Sequence, residues 1–148
     1  MIDNFNDTLT AKSQQPLKRS RIKKIKMSSN TPFIQRKPFI VPTDDGKLIA
    51  EHFGLASDGN SNISIAYMEA PPGWSEPFQT PEFDEYTIIL EGKKQFIIDG
   101  ETIVLQAGES IHIPKNTRVQ YANPFDKPVK YVAICKPAFS MDAVHRES

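Results

Sequence analysis

Twelve prolines and seven glycines divide this 148-residue sequence into short apolar runs, and no stretch sustains a helical period. That pattern predicts many short strands joined by turns, an all-β sandwich or barrel. It argues against a parallel βαβ sheet, whose crossovers need long helical segments. The length suffices for one domain with a real core. The 39% hydrophobic and 24% charged content fits a globular protein. No window approaches the roughly eighteen apolar residues of a membrane-spanning helix, and no apolar run near Met1 reads as a secretory leader. The single cysteine, Cys135, falls in the apolar run 131–135. It reads as a buried side chain without a disulfide in the chain, which suits a reducing cytosol.

Charge is unevenly placed. The chain carries 18 basic and 18 acidic side chains, with seven Lys/Arg and two Asp in residues 1–30. Those residues are polar and aperiodic and read as a disordered basic extension ahead of a domain at 31–148. The basic run Lys18, Arg19, Arg21, Lys23, Lys24 and Lys26 reads as a solvated tail, and nucleic-acid contact is not expected of it. Met27 offers an alternative start just before the globular part.

Along the body, residues 31–42 read as an extended edge strand or arm, because their prolines disfavour helix. Strands are expected at 47–55, 63–70, 86–90, 110–113, 118–122 and 130–135. Between 93 and 105 the sequence KKQFIIDGETIVL reads as a hairpin, with Asp99-Gly100 at its turn. The tail after residue 136 reads as irregular or as one helical turn.

Two stretches frame the chemistry. Residues 73–92, GWSEPFQTPEFDEYTIILEG, pass from a Pro-Pro-Gly turn through Gln79, Pro81 and the acids Glu82, Asp84 and Glu85 into a strand that stops at Gly92. Residues 108–123, GESIHIPKNTRVQYAN, answer them. These stretches resemble the two motifs of the cupins, G-x5-H-x-H-x3,4-E-x6-G and G-x5-P-x-G-x2-H-x3-N. Gly73, Glu85, Gly92, Gly108, Pro114 and Asn123 match at the motif spacings. Gln79, Pro81 and Val119 stand at the histidine positions, and Asn116 stands at a glycine position, where left-handed geometry is tolerated.

The resemblance covers residues 35–136. It implies a cupin-type double-stranded β-helix, a jelly-roll barrel of the RmlC-like kind. It is similar to the ethanolamine-utilisation type of cupin, which also lacks the histidines and also carries an Asp-Glu pair, here Asp84-Glu85. The family metal site, three histidines and a glutamate, is implied to be degenerate, so no cofactor is expected. The resemblance also implies a homodimer, and the arm at 31–42 is the sequence motive for one.

Strand alternation puts Thr87 and Ile89 on the face of Glu85, with Val119 and Tyr121 opposite. A small pocket follows, with Gln79 at its mouth, Glu85 and Tyr121 inside, and Trp74 as lid or dimer contact. In apolar surroundings Glu85 is the candidate general acid or base. His112 is a further candidate for ligand contact. If a divalent transition metal binds, Glu85, Gln79 and His112 are the expected ligands, with His52 and His145 as further candidates. The leading reading is a cytoplasmic cupin that binds a small organic metabolite without the usual metal centre. The alternative is a lyase, isomerase or dioxygenase using Glu85 with a non-standard metal site or without metal. A third is a regulatory module that binds through its basic tail.

Overall fold

The computed structural model describes residues 31–148, and a compact unit spans Gln35–Ser148. The expectations for residues 1–30 lie outside the described residues. Ten strands follow one another: β1 (Phe39–Ile40), β2 (Leu48–Phe53), β3 (Ser64–Ala70), β4 (Trp74–Ser75), β5 (Asp84–Glu91), β6 (Lys93–Ile98), β7 (Glu101–Gln106), β8 (Ser110–Ile113), β9 (Val119–Asn123) and β10 (Val129–Lys136). A single 3-10 turn, Met141–Ala143, follows. All described pairings are antiparallel. One sheet runs β1-β2-β3-β10-β5-β8, and the other runs β4-β9-β6-β7.

The sequence dictates which faces meet. In β5 the buried residues are Glu85, Thr87 and Ile89, while Tyr86, Ile88 and Leu90 are exposed. Val129, Tyr131, Ala133 and Cys135 alternate in the same way along β10, next to β5. Opposite them, Phe96 from β6 and Tyr121 from β9 meet edge to face at 5.8 Å between ring centroids. Trp74, Ile89, Phe96, Val119 and Tyr131 belong to one hydrophobic cluster between the sheets. A smaller cluster ties Phe83 and Cys135 to Phe139, Ala143 and Val144 of the C-terminal tail.

Turn chemistry fixes the ends. Asp99 and Gly100 both take positive φ (51° and 76°), as a two-residue hairpin turn requires. Asn116 stands at φ 64°, in the left-handed region its motif position demands. The Asn123 side chain donates to the carbonyls of Ala70 (3.2 Å), Pro71 (3.2 Å) and Lys127 (2.9 Å), so the motif asparagine clamps two turns together. Phe39 and Ile40 pair with Glu51 and Ala50 of β2, so residues 31–42 supply an edge strand, one of the two forms expected of them. Its prolines only shorten the paired segment to two residues.

Candidate functional site

The sheets enclose a cavity of about 240 Å³. Its apolar wall comes from β3 and β10, where the inward side chains are small: Ala66 and Ala133, with Met68 beside them. Small residues there leave the volume that larger ones would fill. Its polar wall comes from the segment between β4 and β5 and from β5, β6 and β9: Glu76, Gln79, Glu85, Lys94 and Tyr121. The C-terminal tail closes over it as a strap. Thr80 N–H donates to the His145 carbonyl (3.3 Å), Glu82 N–H to that of Ala143 (2.9 Å), and Glu147 N–H to that of Phe78 (2.8 Å). Phe139, Met141 and Arg146 of the strap line the cavity.

Gln79, Glu85 and Tyr121 meet at this cavity. Gln79 is anchored by reciprocal backbone hydrogen bonds with Val119, both 2.9 Å. The Tyr121 hydroxyl donates to Glu85 Oε2. Burial, and then the Glu85 carboxylate beside it, push the Tyr121 phenol well above its ordinary pKa. Burial, followed by Glu85, also pushes up the Cys135 thiol on the same wall, so it stays protonated rather than acting as a thiolate.

Trp74 and His112 stand elsewhere. Trp74 is buried rather than set at a mouth. Its indole N–H donates to Asp45 Oδ2 (2.7 Å), and Lys47 Nζ lies 4.5 Å from its ring centroid. His112 is on the outer face of β8. It stacks on Tyr86 at 4.4 Å between centroids and approaches Asp84 Oδ1 at 3.3 Å. It lies at the register position of Tyr86, opposite in facing to Glu85. His52 and His145 do not line the cavity either. His145 pairs with Glu82 at 3.1 Å at the surface.

The cavity also holds a charged set that sequence reasoning missed. Lys47 Nζ pairs with Glu76 Oε1 at 3.1 Å, their side chains only 8% and 10% exposed. Arg146 Nη2 lies 3.6 Å from the same oxygen, and Gln79 Nε2 donates to Glu76 Oε2 at 3.0 Å. Burial alone would raise Glu76, but Lys47, Arg146 and, more weakly, Lys94 hold its carboxyl below the usual range. Burial alone would lower Lys47, but neighbouring Tyr131 and Glu76 outweigh it and raise the ammonium. The Tyr131 hydroxyl is buried and, Lys47 apart, has no hydrogen-bond partner among the described residues. Lys94 sits on the inward face of β6 with its Nζ 3.6 Å from the Tyr131 ring centroid and 4.7 Å from that of Tyr121. The signal for Lys94 was available. Period-two alternation places it on the face of Phe96.

The donors at the family's ligand positions do not match a transition-metal set. Pro81 and Val119 offer no side-chain donor, the Gln79 amide nitrogen is turned to Glu76, and Glu85 accepts from Tyr121. Among the described residues no group of three or more His, Cys, Asp or Glu is arranged to hold a metal ion.

Two facing antiparallel sheets around a cavity walled by Glu85, Gln79 and Tyr121 define a cupin-type double-stranded β-helix. Residues 66–135 match the cupin domain model, and this cupin domain is similar to those of the ethanolamine-utilisation type. The endoribonuclease YbeY of Myxococcus xanthus (strain DK1622) is 42% identical over 113 residues, 76% of this chain and 38% of that protein. The acetate kinase EutQ of Salmonella typhimurium is 31% identical over 81 residues, 53% of this chain and 34% of that protein. The chain thus spans little more than a third of the length of these curated relatives. The polyketide cyclase RemF from Streptomyces resistomycificus shares the fold at a TM-score of 0.63 and 15% identity, over 80% of this chain and 85% of that one. No helix among the described residues is long and apolar enough to cross a membrane.

Proposed function

We propose that this chain binds a small organic metabolite in the barrel cavity, without a histidine metal centre, and works as a homodimer in the cytosol. The observation that carries the reading is the cavity of about 240 Å³, with an apolar wall on one side and Gln79, Glu85 and Tyr121 converging on the other. Ligand pockets have this make-up, apolar lining with a few placed polar groups, and drug-sized ligands take roughly 300–1,000 Å³. A cavity below that range suits a metabolite of few heavy atoms.

The test is a thermal-shift screen of small metabolites against the full chain, run beside metal analysis of untagged protein. A ligand that binds only the folded state raises the unfolding temperature with concentration. About one Fe, Mn, Ni or Zn per chain, held in stoichiometric amount against the ligand preferences of such metals, would overturn the metal-free part of the reading. A barrel that no metabolite stabilises would overturn the binding part.

One observation favours a second reading, a lyase or isomerase. The Glu85 carboxylate and the Tyr121 hydroxyl are hydrogen-bonded to each other at the cavity wall. Such a pair can hold and return a proton to a bound substrate. On that reading Glu85→Gln folds normally and loses turnover. Unchanged turnover in that variant would remove it.

A further inference from the structure

Three cations line the cavity, and they are not equally neutralised. Lys47 and Arg146 both face Glu76. The remaining buried carboxylates are engaged as well. Glu85 accepts from Tyr121. Glu51 Oε2 accepts the backbone N–H groups of Ala56 (3.0 Å) and Ser57 (2.9 Å). Asp45, an exposed residue at the lining, accepts the Trp74 indole N–H.

Lys94 is 2% exposed, and among the described residues no carboxylate lies within ion-pair distance of its ammonium and no group hydrogen-bonds to it. What surrounds it is aromatic: Tyr131, Tyr121 and Phe96, with centroids 3.6, 4.7 and 5.1 Å from Nζ. Ring faces attract a cation, but they do not replace the hydrogen-bond acceptors that three ammonium N–H groups require. A buried charge is ordinarily paired. The Tyr131 hydroxyl, also on the cavity wall, is a second buried polar group with, Lys47 apart, no hydrogen-bond partner among the described residues.

We propose that Lys94 anchors the ligand through an anionic group, and that the ligand is a small monocarboxylate whose apolar part lies against Ala66, Met68 and Ala133. This rests on the binding reading above and names its substrate class. One negative charge is the fitting number. Glu76 and Glu85 stand on the same wall, and a dianion such as phosphate would meet both. A carboxylate would take ammonium N–H groups on one oxygen and the Tyr131 hydroxyl on the other.

The test is an NMR titration of the full chain with acetate, propionate and butyrate, set against their primary amides and inorganic phosphate, and repeated on Lys94→Met. Expected are saturable shifts at Lys94, Tyr121 and Tyr131 with the carboxylates, little response to amides or phosphate, and binding weakened about 10- to 100-fold in Lys94→Met, the range a hydrogen bond to a charged group is worth. The amide comparison uses unaltered protein, so the proposal stays testable even where the methionine variant misfolds. Amides that bind as tightly as carboxylates, or a Lys94→Met that binds them unchanged, would overturn the anchor while leaving a ligand-binding barrel. No shift with any carboxylate overturns the proposed class, and the metabolite screen then decides the binding reading independently.

Discussion

Glu76 is shared by Lys47, Arg146 and Gln79, and its titration ties the cavity to stability. Its carboxyl is held low in the folded chain. The stability it contributes is therefore complete above the unfolded carboxyl value of about 4.3 and is lost as pH falls through the lower folded value. Lys47 is shifted the other way, so its contribution is complete below about 10.4 and is lost only as pH rises through the raised folded value. Glu76→Gln should cost about 3–5 kcal/mol at neutral pH, because it strands a buried ammonium. Its denaturant midpoint should also fall less steeply below pH 4 than that of the unaltered chain. A parallel acid profile would show that Glu76 does not govern this window. Two buried hydroxyls that accept and donate no geometric hydrogen bond among the described residues, Thr87 Oγ1 and Tyr131 Oη, permit a paired comparison. Thr87→Val should leave stability unchanged or raise it by about 1 kcal/mol, since it removes no made hydrogen bond, whereas Tyr131→Phe also removes a neighbour that favours the Lys47 ammonium and should lower stability. Only Tyr131 lines the cavity, so only Tyr131→Phe should weaken a bound ligand, as titration of both variants would reveal.

At the scale of elements, the turns separate two kinds of glycine. Gly92 and Gly100 both stand at positive φ (80° and 76°), but a Cβ at Gly100 meets nothing, whereas at Gly92 it would collide with the Pro128 carbonyl and press on Val129. Gly100→Ala should cost about 1–2 kcal/mol, the left-handed penalty alone. Gly92→Ala should cost clearly more, because β5 and β10 must move apart, and equilibrium unfolding of the two variants measures the difference. Both glycines were legible in the sequence, one from the Asp-Gly hairpin signal and one from the motif spacing. The longer strands were legible within a residue or two, because alternation in β5 and β10 is undisturbed, whereas the two-residue β4 was not. The polar wall was legible only in part. Gln79, Glu85 and Tyr121 come together because motif spacing placed them. Lys94, by contrast, stands in a Lys-Lys-Gln run that resembles a solvated surface, and lysine is among the residues least often buried. Glu76 and Arg146 lie 70 residues apart in the sequence, and only the C-terminal strap brings them together. His112 was misplaced for a simpler reason. Its facing depends on the β5–β8 register, which the isolated strand 110–113 does not state.

At the scale of the molecule, the outer face of the six-stranded sheet is unusually apolar. Tyr86, Ile88 and Leu90 of β5 are 43%, 42% and 50% exposed. Register continues this row across the sheet: Ile134 and Val132 of β10 stand beside Tyr86 and Ile88, and Ile65 and Tyr67 of β3 follow on the far side. Contiguous apolar patches of more than a few hundred Å² are uncommon on monomers. The rim carries both signs, with Lys130 paired to Glu91 at 3.2 Å and Glu69 alongside on β3. A two-fold interface needs that composition, because one patch must complement itself. We propose that a second copy of this chain covers this face, which leaves the cavities of both copies separate. β1 pairs within its own chain, so the sheet face rather than an exchanged arm is the surface assigned to the contact. Light scattering should therefore give twice the 16.7 kDa chain mass. Ile88→Glu should return a monomer whose circular dichroism is unchanged, because Ile88 points away from the core. A monomeric unaltered chain, or an Ile88→Glu variant that stays dimeric, would move the contact elsewhere or remove it.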